Sequence, residues 1–138
     1  MTNKLAVVKD FTLEIPVQDI EQSVEWYIRH LGFELIPPAK GIAELRTASG
    51  FRICLFRPDQ TDETSYWYVK DVNNYRVRAC IRVSDIELLH TSLVESGIQV
   101  SDIEGGPGCG WTCQFHDLNG NMLIAWSGYT KEHDWYYE

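Results

Sequence analysis

Residues 11–17 of this 138-residue chain alternate, with Leu13, Ile15 and Val17 on one side and Thr12, Glu14 and Pro16 on the other. A period of two is that of a strand with one buried face. Asp19, with Gln22 three residues on, has the spacing of a helix start, the carboxylate accepting from exposed backbone amides. Ile20, Val24, Tyr27, Ile28 and Leu31 then recur at helical spacing, and Gly32 is suited to the left-handed conformation that ends a helix. Residues 33–36, 43–47 and 51–56 predict three further strands, with a turn at Ser49-Gly50.

The same plan returns about 66 residues later. Val17-Gln-Asp-Ile-Glu reappears as Val83-Ser-Asp-Ile-Glu. Val77, Ala79, Ile81 and Val83 alternate with Arg78, Cys80 and Arg82; Asp85 opens a helix with the stripe Ile86, Leu89, Leu93 and Val94, and Gly97 ends it. Strands are expected at 99–103, 111–116 and 122–126. A repeat of this length is one supersecondary unit used twice. The expected class is α+β in a single domain, with a first βαβββ unit at 11–56, a linker at 57–74, a second unit at 75–127 and a tail at 128–138. The linker is polar apart from Tyr66-Trp67-Tyr68, three aromatics that suit a lid or a subunit contact. Gly105-Gly-Pro-Gly-Cys-Gly110 has no Lys-Ser/Thr after it and opens no helix, so it is no phosphate cradle; it is expected as a mobile loop over a site. The aromatic tail, with Trp135, Tyr136 and Tyr137, is expected to dock on the body.

Alternation also assigns faces. Leu13, Ile15, Ile53, Leu55, Ala79, Ile81, Leu123 and Ala125 should meet the helices. The opposite face should carry Thr12, Glu14, Arg52, Cys54, Phe56, Arg78, Cys80, Gln114, His116, Met122, Ile124 and Trp126. A slip of one residue would exchange the two sets.

Composition narrows the chemistry. A net charge of −8 argues against nucleic acid or an anionic membrane as partner and admits a cationic one. No apolar run approaches the roughly 18 residues of a membrane span, and no charged-then-apolar leader opens the sequence, so a cytoplasmic protein is expected. The four cysteines, Cys54, Cys80, Cys109 and Cys113, are then expected as thiols. Cys109 and Cys113 on one strand would lie about 13 Å apart, too far to share a metal. Of the five tryptophans, Trp26 and Trp111 are expected in the core and Trp126, with Phe56, in a ligand site.

Two βαβββ units with Asp-Ile opening each helix, Trp26-Tyr27 before Leu31-Gly32-Phe33, and Phe115-His-Asp117-Leu-Asn-Gly120-Asn121 together resemble the vicinal oxygen chelate superfamily. That superfamily holds glyoxalase I, extradiol dioxygenases, fosfomycin-resistance enzymes and bleomycin-resistance proteins. The last stretch is similar to its F-x-D-P-D-G-N hairpin, with Leu118 and Asn119 in place of Pro and Asp. The resemblance, over about 11–127, implies a half-open curled sheet around a cavity, helices outside, and a homodimer.

It also implies where a metal would sit: Thr12 and Arg78 on the first strands, Cys54 and Ile124 on the last. A permanent cation at Arg78 would repel a divalent ion. No metal, other cofactor or catalytic residue is therefore expected. The nearest branch is the metal-free, bleomycin-resistance-like one, whose members sequester cationic aromatic drugs. The expected ligand-binding residues are Glu14, Cys54, Phe56, Arg78, Gln114, His116, Ile124 and Trp126. The alternative is a glyoxalase- or dioxygenase-like lyase or oxidoreductase with a displaced metal set of Glu14, Cys54 and His116. Simpler roles are a buried Glu14–Arg78 ion pair and a hydrogen-bonded His116 at the cavity rim. A metal-free isomerase with Glu14 as base, and a domain whose cavity is filled by its own side chains, complete the readings.

Overall fold

Both helices begin where an aspartate meets the chain's first free amides. In the computed structural model, which describes residues 5–37, 42–58 and 75–138, Asp19 accepts from the Gln22 amide ahead of α1 (Ile20–Leu31). Asp85 accepts from the Leu88 amide ahead of α2 (Ile86–Glu95). α1 closes at Gly32, whose φ of 71° is left-handed. α2 closes at Ser96, with left-handed Gly97 following.

The first unit runs β1 (Thr12–Pro16), α1, β2 (Glu34–Ile36), β3 (Ile42–Arg46) and β4 (Arg52–Phe56). The second runs β5 (Arg78–Arg82), α2, β6 (Glu104–Gly106), β7 (Gly110–His116) and β8 (Met122–Trp126). Each forms a four-stranded sheet of the same order, β1-β4-β3-β2 and β5-β8-β7-β6, with its first and last strands parallel. The architecture is α+β, two βαβββ units whose sheets form no closed barrel.

The expected strand at 99–103 is not a ladder. Val100 makes one isolated bridge to Phe115, and the Ser101 hydroxyl takes the Gln114 amide that a strand carbonyl would have taken. Regular pairing resumes at Glu104 and runs into the glycine-rich segment. That segment is therefore a tied-down hairpin and not a free loop. Thr130 clamps Gly108 from both sides, its amide donating to the Gly108 carbonyl and its hydroxyl accepting from the Gly108 amide. The linker's aromatic triplet, including Trp67, lies outside the described residues.

The helix-side face is as alternation predicts. Ile15, Ile53, Leu55, Leu123 and Ala125 are buried, and Leu13, Ala79 and Ile81 pack against them. The core runs through both units. Trp26 on α1 lies 6.3 Å from Phe115 of β7, ring centre to ring centre. This second neighbour explains why α1 buries Ser23, Trp26 and Tyr27 while Ile28, placed in the helical stripe, is exposed. Val94 of α2 is likewise exposed.

A polar knot joins the units at the β7–β8 turn. The buried Asp117 carboxylate accepts from the Tyr27 hydroxyl (2.6 Å), the Asn119 and Asn121 amides and the Asn121 side chain. Asn121 donates to the Pro16 carbonyl at the end of β1 and accepts from the Val77 amide before β5. A buried carboxylate is costly unless its lone pairs are satisfied, and here they are. Its negative charge, with burial as the larger cause, pushes the Tyr27 phenol far above its usual range.

Candidate ligand-binding site

Strand register decides which side chains share the open face. In the first sheet Glu14, Cys54 and Glu44 form one row across β1, β4 and β3, with Thr12, Arg52 and Arg46 in the next. Cys54 is buried although it points away from the helix. Burial, then the neighbouring carboxylates of Glu14 and Glu44, push its thiol up to about 11. Arg52 donates to Glu44 (3.1 Å) and Asp10 (2.7 Å). Phe56 is buried, its ring 6.5 Å from that of Tyr75.

Removing one of the carboxylates should be visible at the sulfur. Glu14→Gln is expected to lower the Cys54 midpoint from about 11, because a negative neighbour that disfavours thiolate is gone. Thiolate absorbance against pH, in a chain whose other three cysteines are serine, measures it. An unmoved midpoint would separate the two side chains.

The second sheet carries different chemistry. Its rows are Arg78–Met122–His116, Cys80–Ile124–Gln114 and Arg82–Trp126–Thr112. Arg78, Cys80, Gln114 and His116 are exposed, while Met122, Ile124 and Trp126 are half-buried. Burial pushes the Cys80 thiol up, against the opposing charge of Arg78. Trp126 is pinned rather than loose. Its indole N–H donates to the Cys109 carbonyl at 2.7 Å, and Tyr129 meets it edge-on at 4.9 Å. Tyr129 stacks on His133 at 4.0 Å, and Trp135 closes the cluster edge-on at 6.1 Å from Tyr129. Arg82 lies 4.3 Å over the Tyr137 ring and donates to the Tyr137 carbonyl. The tail is docked, as its aromatics predict, and it extends the aromatic surface around Trp126.

The expected site residues thus fall into two groups. Glu14, Cys54 and Phe56 stand on the first sheet; Arg78, Gln114, His116, Ile124 and Trp126 stand on the second. The buried Glu14–Arg78 pair is not formed. Both side chains are exposed and, among the described residues, they make no ion pair with each other. The units meet through Trp26 and Phe115 on their helix sides, so burial never forces these two charges together. Sequence reasoning missed Tyr129, His133 and Tyr137 as neighbours of the site; the density of aromatics in the tail was the available signal. A separate groove of 410 Å³ lies on the helix side, between His30, Leu31 and Phe33 and the start of α2, and holds none of the expected ligand residues.

The four positions at which a metal would be held do not suit one. Thr12 offers a hydroxyl, Ile124 nothing, Arg78 a positive charge, and Cys54 a thiol that stays protonated at neutral pH. The displaced set is not assembled either. His116 stands on the sheet opposite to Glu14 and Cys54, and among the described residues no three His, Cys, Asp or Glu side chains are grouped to hold an ion.

Paired βαβββ units, each with an open face on its sheet, define a class of proteins in which one scaffold carries many chemistries. Residues 9–124 match the model of the Glyoxalase/Bleomycin resistance protein/Dioxygenase superfamily, and the chain belongs to that family. Similar solved structures include an antibiotic binding protein, TnmS3, from Streptomyces sp. CB03234 (19% identity, 89% of this chain and 98% of that one, TM-score 0.67). A bleomycin resistance determinant encoded on the transposon Tn5 is 17% identical over 90% of this chain and 99% of that one, with a TM-score of 0.63. A lactoylglutathione lyase from Agrobacterium tumefaciens is 14% identical over 98% and 100%, with a TM-score of 0.70. At these identities the likeness is one of fold. No curated protein matches the chain. Among the described residues no helix is long and apolar enough to cross a membrane.

Proposed function

We propose that this protein binds a small aromatic cation without a metal and without turning it over, in the manner of a drug-sequestering protein. The observation that carries the reading is Trp126. It is a half-buried indole on the open face of β8, held by a hydrogen bond and an edge-on tyrosine, beside the apolar Ile124 and Met122. Fixed aromatic faces bind planar cations through stacking and the ring quadrupole, and the net charge of −8 favours such a guest. Glu14, Cys54, Phe56, Arg78, Gln114 and His116 complete the proposed site. The open faces are those of a homodimer, in which the sheet of a second copy closes the cleft. The role that fits is antibiotic resistance by sequestration in the cytoplasm.

Ethidium, a planar cation with its own fluorescence, is the probe. Trp126→Ala is expected to weaken its binding by about 1–2 kcal/mol, roughly 5- to 30-fold, and Trp126→Phe by much less. Equal ethidium affinity in wild type and Trp126→Ala would remove the indole from the site.

A further inference from the structure

Glu14 stands on β1 and Arg78 on β5, each the edge strand of its sheet; the repeat places Arg78 opposite Thr12 in the first unit and Glu14 two residues further along, opposite Cys80 in the second. The other guanidinium groups on these faces are engaged within the chain. Arg46 pairs with Glu34, Arg52 with Glu44 and Asp10, and Arg82 with Tyr137. Among the described residues Arg78 has no ion-pair partner, and neither has Glu14. One open face therefore presents an uncommitted carboxylate and the other an uncommitted guanidinium.

Resting on the dimer reading above, we infer that Glu14 of one copy pairs with Arg78 of a second copy, and that these two symmetric ion pairs set the register of the dimer. A two-fold axis that brings β1 of one copy beside β5 of the other matches each carboxylate to the opposite guanidinium, so one kind of contact is made twice. The occupant is a second copy because a single chain displays both halves of the match on faces it does not bring together. Complementary charge of this kind suppresses wrong registers more than it adds raw affinity. It also has a consequence for the ligand. With Arg78 neutralised and Arg82 held by the tail, no free guanidinium faces a cationic guest in the cleft.

Sedimentation velocity at low micromolar concentration tests the pairing through mixing. Glu14→Arg and Arg78→Glu each place like charges at both contacts, and each is expected to raise the dimer dissociation constant by at least about 100-fold. An equimolar mixture of the two variants should sediment as dimer again, because a heterodimer restores one reversed pair and keeps one native pair. The doubly substituted chain should also dimerise. Glu14→Gln and Arg78→Gln, which remove charge without reversing it, should weaken the dimer by roughly tenfold and flatten its salt dependence. Unchanged dimerisation in all four single variants would overturn the pair and leave the dimer standing. A monomeric wild type would overturn both. Rescue by the double variant but not by the mixture would put the pair inside one chain and overturn the inference.

Discussion

Asn121→Ala is expected to lower stability by about 3–5 kcal/mol. Asn121 is fully buried and all its side-chain hydrogen-bonding groups are used. Truncation leaves the Val77 amide, the Pro16 carbonyl and one Asp117 oxygen each short of a partner. Each such orphan costs about 1–3 kcal/mol when water cannot reach it. The Val77 and Pro16 bonds lead to the starts and ends of strands in different units, so their loss should loosen the joint between them. Thermal unfolding is the measurement, with a fall of about 10 °C or more expected. A shift of only a few degrees would mean that water replaces the amide and that the knot is not sealed.

The second large effect is expected at a glycine. Gly110 has a φ of 87°, and a Cβ there would lie 2.1 Å from the Gly128 carbonyl oxygen and 2.6 Å from the Ser127 hydroxyl. Backbone cannot rotate out of the way as a side chain can. Gly110→Ala must therefore separate the start of β7 from the segment after β8, at a cost of about 3 kcal/mol or more. That separation would break the contacts that seat the tail, including the Ser127 hydroxyl on the Trp111 amide. Gly108→Ala is the control. Its φ is 95°, but nothing lies within 4 Å of the added carbon. Only the backbone penalty of about 1 kcal/mol applies. Chemical denaturation of the two variants, with tail aromatics followed by near-ultraviolet circular dichroism, separates clash from strain. Equal losses would show that the segment after β8 yields to the added methyl group without cost.

Much of the fold is legible in the residues because short-range rules set it. The alternation at 11–17 and 77–83 places both first strands, Asp19 and Asp85 place both helix starts, and β8 has the bounds its pattern predicts. What escaped depends on partners distant in sequence. Helical spacing places Ile28 in the buried stripe, yet it is exposed, because the helix turns the expected core residue Trp26 toward Phe115 of the other unit. The strand expected at 99–103 yields one bridge because the Ser101 hydroxyl intercepts the ladder. The site is legible in part. Alternation gives the faces, and register sets Glu14 beside Cys54 and Trp126 between Arg82 and Thr112. Charge alone suggested an ion pair between Glu14 and Arg78. No local pattern records which faces two repeated units turn toward each other, and that arrangement decides it.

The most direct test of the binding account is calorimetric titration of ethidium into wild-type protein stripped with a chelator and kept in it. Saturable binding at a fixed stoichiometry per chain, unchanged when zinc, nickel, manganese or iron(II) is restored in a parallel titration without chelator, is the predicted result. Binding that appears only after one of those ions is returned, or no saturable heat under either condition, would contradict a metal-independent site for aromatic cations.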